Sequence, residues 1–110
     1  MQVIRLVLGL GSDDLARLVR PQLLRAATGV ATNYRAACRG RSRREFAARL
    51  GVANEEADES EFWLDVLEEF RKRPEATIRE LRREAAELRA IFASSRATTL
   101  EGMKRRRASK

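Results

Sequence analysis

In the stretch Ile78-Arg-Glu-Leu-Arg-Arg-Glu-Ala-Ala-Glu-Leu-Arg-Ala-Ile-Phe92, apolar residues fall at Ile78, Leu81, Ala85, Leu88 and Phe92. The steps alternate between three and four, and arginine and glutamate fill most of the remaining positions. That alternation is the seam of antiparallel bundles and coiled coils, because residues three and four apart share one helix face. Working upstream, Phe46, Leu50, Ala53, Ala57, Leu64 and Leu67 form one such stripe, and Phe62, Val66 and Phe70 form a second. Further upstream, Leu15, Val19, Leu23, Ala26, Val30 and Ala37 repeat the pattern, with Asn33 filling the step between Val30 and Ala37. No strand-like alternation and no internal repeat interrupts these runs.

The punctuation between the runs agrees. Gly40 stands where one helix can end, and Ser42-Arg-Arg-Glu45 has the S-x-x-E form of a capping box. Gly9 and Gly11 precede Ser12-Asp-Asp14, which supplies an N-cap and acids for a first turn. Pro74 suits the opening position of a last helix. Pro21 either kinks the second helix or marks its start, with Asp13 to Arg20 a separate turn. The spacing predicts helices over 2–9, 13–38, 43–72 and 75–98. The fold class is all-α: an antiparallel up-down four-helix bundle with a short first helix. Residues 1–100 form the bundle domain, and 101–110 form a basic, disordered tail without apolar periodicity. Three long helices leave a seam that so short a first helix cannot cover. The second stripe, with Phe62, Trp63, Val66 and Phe70, is read as a subunit interface, and self-association is the simplest cover.

Composition narrows the chemistry. The 110 residues suit one small domain, with 44% hydrophobic, 35% charged and 5% aromatic residues. Such a mixture is typical of long helices. With 23 Lys+Arg against 16 Asp+Glu and no histidine, the formal charge is +7. A surplus of that size favours polyanionic partners. The lack of histidine removes His-based nucleophilic triads and His-ligated metal sites. Cys38 is the single cysteine, so no intrachain disulfide forms, and it is read as a small, packed, inert residue. The first ten residues lack a basic leader and a cleavage site, and no apolar run approaches membrane-spanning length. The expectation is a cytoplasmic protein with no membrane partner and no cofactor.

Four linked segments carry a specific likeness: Gln22-Leu-Leu-Arg-Ala-Ala-Thr28, Asn33-Tyr-Arg-Ala-Ala-Cys-Arg39, Arg41-Ser-Arg-Arg-Glu-Phe46, and Glu55-Glu-Ala-Asp-Glu59 with Phe62-Trp-Leu64. In order and spacing, residues 22–67 resemble the bacterial four-helix-bundle proteins encoded in intervening sequences of 23S rRNA genes, which have been mislabelled as ribosomal proteins. Weaker likeness runs from Leu88 to Arg96. The resemblance implies a homopentamer of antiparallel bundles with a basic surface directed at nucleic acid. It implies no established biochemical function. A related fold serves as the pentameric accessory protein of diversity-generating retroelements, which binds a reverse transcriptase and RNA. The family's first helix is about twice as long, and Gln2 to Leu10 resembles only its second half.

Arg35, Arg39, Arg41, Arg43 and Arg44 make the densest basic cluster before the tail. Guanidinium groups offer phosphate two parallel donors and keep their charge. Two readings stand for Arg35 and Arg39: contacts to phosphate, or pairing with the eight acids and no base of residues 55–69. Arg41, Arg43 and Arg44, near a helix end, are read as facing a ligand. Lys104, Arg105, Arg106 and Arg107 add phosphate contacts from a flexible arm or serve only solubility. Asn33 is read as a structural amide satisfied by Glu59 or Ser42, and Ser42 with Glu45 as the cap. Glu55-Glu-Ala-Asp-Glu59 also matches E-E-x-x-E, which resembles the magnesium motif of all-helical nucleotide pyrophosphohydrolases. Such enzymes need a second pair, E-x-x-D, but Glu61 and Asp65 are four apart and Glu84 with Glu87 gives E-x-x-E. The preferred reading is a non-enzymatic, homo-oligomeric protein binding RNA or DNA. A protein–protein scaffold with a protein partner is second, and the magnesium-dependent enzyme third.

Overall fold

Asp13 and Ser42 begin the two helices on which the rest of the chain is built. Asp13 is extended (φ −69°, ψ 173°), and its Oδ1 accepts from the Ala16 N–H at 2.8 Å. Ser42 is extended too (φ −145°, ψ 161°), and its Oγ accepts from the Glu45 N–H at 3.0 Å. Each side chain satisfies a first-turn donor that the helix itself cannot. Glu45 completes the cap one residue further out than a capping box does, its Oε2 accepting from the Arg41 N–H at 3.2 Å.

The computed structural model describes residues 2–71 and 76–109. It contains α1 (Gln2–Leu8), α2 (Asp14–Cys38), α3 (Arg43–Phe70) and α4 (Ala76–Ala108). Among the described residues, the expected four-helix, strand-free architecture with a short first helix is what forms. α2 runs through Pro21 as one helix, so residues 13–20 are not a separate turn. Loss of one backbone donor there leaves the carbonyl of Arg17 one bond short, which a helix of this length absorbs. Pro74, expected to open α4, lies outside the described residues.

The end of α4 differs from expectation. Instead of stopping at 98 and giving way to a disordered tail, the helix continues to Ala108. Glu101, Met103, Lys104, the three arginines and Ala108 are all good helix formers. Adding residues to an existing helix avoids the cost of nucleation, and cations in a last turn complement its dipole.

α2 and α4 both pack along α3, while between α2 and α4 no backbone approach occurs among the described residues. The molecule is a rod of 59 × 20 × 18 Å. Two cores fill it. In one, Leu6, Val7 and Leu10 from the α1 region close over Val19, Leu23, Leu67, Ile78 and Leu81. In the other, Ala37, Leu50, Ala53, Ala57 and Phe92 pack with help from Val30 and Phe46. Gly11 takes a left-handed turn (φ 84°) that other residues resist, and it sends the chain from α1 into α2. Arg71 Nη2 donates to the Leu10 carbonyl at 2.8 Å, and Arg20 donates to the carbonyls of Val7 (3.3 Å) and Gly11.

Candidate nucleic-acid interface

Helix register decides which of the described arginines meet the acids of α3. α3 carries the acidic run, and the antiparallel helices on either side present arginines to it. From α2, Arg25 meets Glu56 (3.8 Å) and Glu59. From α4, Arg79 meets Glu68 (3.5 Å), Arg82 meets Asp65 (3.1 Å) and Glu68, and Arg89 meets Glu61 (2.7 Å) and Asp58 (3.5 Å). The hydrogen bond to Glu61 holds the Arg89 guanidinium above its ordinary pKa, with Asp58 adding to it and burial opposing it. These pairs are partly exposed, so each contributes only about 0–1 kcal/mol. Their repetition along both flanks of α3 penalises any slip in register.

None of these pairs uses Arg35, Arg39, Arg41, Arg43 or Arg44. All five are exposed, and none has an ion-pair partner among the described residues. Of the acidic run that was weighed as a partner for Arg35 and Arg39, Glu56, Asp58, Glu59, Glu61, Asp65 and Glu68 are taken by Arg25 and by arginines of α4. Arg35 and Arg39 line one shallow concavity with Thr32, Ala36 and Glu45. Arg41 and Arg43 line another, about 560 Å³, with Gly40, Ser42, Phe46, Thr98 and Thr99. Arg44 is exposed at the start of α3 and lines neither.

The tail joins the same end of the rod. A Cβ built on Gly102 would lie 3.3 Å from Arg43 Nη1, so α4 passes beside the start of α3 at that point. Lys104, Arg105, Arg106 and Arg107 follow within the helix, all exposed. The threonines Thr98 and Thr99 were missed from sequence. Only the α3–α4 register brings them opposite Arg41 and Arg43, and a hydroxyl pair on a helix gives no signal of its own.

Two structural assignments change. Asn33 is satisfied within its own helix, Nδ2 donating to the Gly29 carbonyl at 2.8 Å, and not by Glu59 or Ser42. Glu59 is turned to Arg25 and Ser42 is used by the cap, so neither reaches Asn33. Cys38 is exposed at the end of α2 where a packed residue was expected, because Ala37 takes the inward position. The Cys38 thiol beside Tyr34, one turn earlier, holds the Tyr34 phenol above its ordinary pKa.

The stripe read as an interface divides. Trp63 and Val66 pack against the larger core, whereas Phe62 is 56% and Phe70 66% exposed. Phe62 meets Trp63 edge-on, with ring centroids 5.0 Å apart. As for the E-E-x-x-E motif, Glu56 and Glu59 are both directed at Arg25. Among the described residues, no three acids or thiols are grouped as a metal site. No helix among them is long and apolar enough to cross a membrane.

Comparison with known proteins agrees with the fold. A crystal structure of a protein of unknown function from the S23 ribosomal protein family of Bacteroides thetaiotaomicron superposes with a TM-score of 0.71 at 23% identity, covering 84% of this chain and 86% of that one. No curated protein matches. The family model for 23S rRNA-intervening sequence proteins matches residues 2–94. Through that match, the chain belongs to the 23S rRNA-intervening sequence protein family.

Proposed function

We propose that this protein binds RNA or another nucleic acid through its arginine-rich end, in the cytoplasm, as a homo-oligomer and without catalysis. One observation carries the reading. Arg25, Arg79, Arg82 and Arg89 are paired with the acidic run of α3, while the guanidinium groups of Arg35, Arg39, Arg41, Arg43 and Arg44 have no ion pair among the described residues. Unpaired guanidinium groups around one helix turn, continued by Lys104 to Arg107, suit a phosphate backbone. The reading is recognition of backbone and shape. Exposed Phe62 and Phe70 on α3 support self-association, pentameric by family likeness, which repeats the basic end on every subunit.

Fluorescence anisotropy with labelled structured RNA and duplex DNA, at several salt concentrations, tests this. Affinity should fall linearly on a log–log plot. Replacing Arg41, Arg43 and Arg44 together by alanine should reduce the slope by about 3, close to one unit per lost phosphate contact. An unchanged slope, or no binding at low salt, defeats the proposal. Light scattering tests the assembly, and a monomer at micromolar concentration defeats that part.

A further inference from the structure

Arg82, Arg89 and Arg96 follow one another along α4 at heptad spacing. Their partners on α3 step back by the same interval. Arg82 meets Asp65 at 3.1 Å and Glu68, and Arg89 meets Asp58 at 3.5 Å and Glu61 at 2.7 Å. One heptad further, the antiparallel register brings Arg96 to Gly51 and Asn54, and neither is an acid. The side chain does arrive there: a Cβ built on Gly51 would lie 3.2 Å from Arg96 Nε. Arg96 is exposed and takes part in none of the ion pairs among the described residues. Asn54 Oδ1 is buried without a hydrogen-bond partner, so it does not hold the guanidinium either. The third rung of the ladder has its cation and lacks its anion.

Glycine inside a helix is destabilising relative to alanine, and Gly51 lies well inside α3. Its lack of a side chain lets the stem of Arg96 lie against the helix. Gly102 repeats the arrangement in reverse, with α4 giving room to Arg43 of α3, 3.3 Å from a Cβ built there. Along α4, Thr98 and Thr99 stand between Arg96 and Gly102, and both line the concavity that holds Arg41 and Arg43. Arg96 is therefore continuous with the arginine-rich end.

Resting on the nucleic-acid reading above, we propose that Arg96 is a further phosphate-binding residue, positioned by Gly51, and that the bound backbone follows the α3–α4 seam from Lys104–Arg107 past Arg43 and ends at Arg96. That seam is about 16 Å long by helical rise. Beyond it, Asp58 and Glu61 repel phosphate, and Arg89 is already engaged with both. The change from acids to Gly51 and Asn54 marks where the footprint stops.

The test is the salt dependence of binding to labelled structured RNA. Arg96→Ala should reduce the log–log slope by about 1. Arg89→Ala removes the same charge one heptad away and should leave the slope unchanged. Arg96→Lys, which keeps the charge, should retain the parent slope. Gly51→Ala should weaken binding by displacing Arg96 while the thermal midpoint stays level or rises, because alanine is the better helix former. A parent slope in Arg96→Ala, or equal losses from Arg96→Ala and Arg89→Ala, overturns the proposal. The arginine-rich end stands in that case if the triple variant of Arg41, Arg43 and Arg44 still loses its slope. A parent chain that binds no RNA at low salt overturns both.

Discussion

At the α1 end, Arg20 and Arg71 turn inward and donate to backbone carbonyls of the α1–α2 joint. At the other end, Arg41, Arg43 and Arg44 face solvent around the α2–α3 turn, and their guanidinium groups make no ion pair among the described residues. The cores differ in the same sense. The α1 end is closed by leucine, valine and isoleucine from four helices, and the other is lined largely by alanine with Phe92 as its main bulk. One end is built for packing and the other leaves its charge and part of its apolar surface available. A net charge of +7 conceals this polarity, because it averages paired and unpaired arginines.

The comparison breaks most visibly in stability. Leu23→Ala, in the closed core, should cost about 2–5 kcal/mol in urea denaturation. Equal losses from Leu23→Ala and from Ile91→Ala, where the side chain is already exposed, would erase the distinction. Ser42→Ala should cost about 1 kcal/mol, the usual value of a lost N-cap, measured as a lower midpoint with an unchanged slope. Arg89→Ala should cost about 0.2–1 kcal/mol, an effect that shrinks in molar salt, with nucleic-acid affinity unaltered. Arg43→Ala should do the reverse: stability within about 0.5 kcal/mol of the parent, and a shallower salt dependence of binding.

Much of the fold was legible because local signals carried it. The three-and-four spacing of Ile78 to Phe92 and the caps at Asp13 and Ser42 are short-range facts, and they place helices within a few residues. The end of α4 was misread because the absence of apolar periodicity says where packing stops, not where a helix stops. The site was legible only as a list of arginines. Which of them are spent internally depends on register between helices: Arg25 falls opposite Glu56 and Glu59, while Arg35 and Arg39 fall beyond the acidic run. Asn33 was misassigned for a related reason. A half-buried amide favours a partner, and the nearest was a carbonyl of its own helix.

The manner in which α1 is held has a dynamic consequence. Seven residues are too few for an independent helix, so α1 exists by virtue of the burial of its own Leu6 and Val7, with Leu10 just beyond it, and of the arginine bonds at its end. It is therefore a separate cooperative unit, and its amides should exchange through a sub-global opening while those near Leu64 and Leu67 await global unfolding. When that unit opens, Leu6, Val7 and Leu10 leave their places and the core around Leu23, Ile78 and Leu81 meets water at that end.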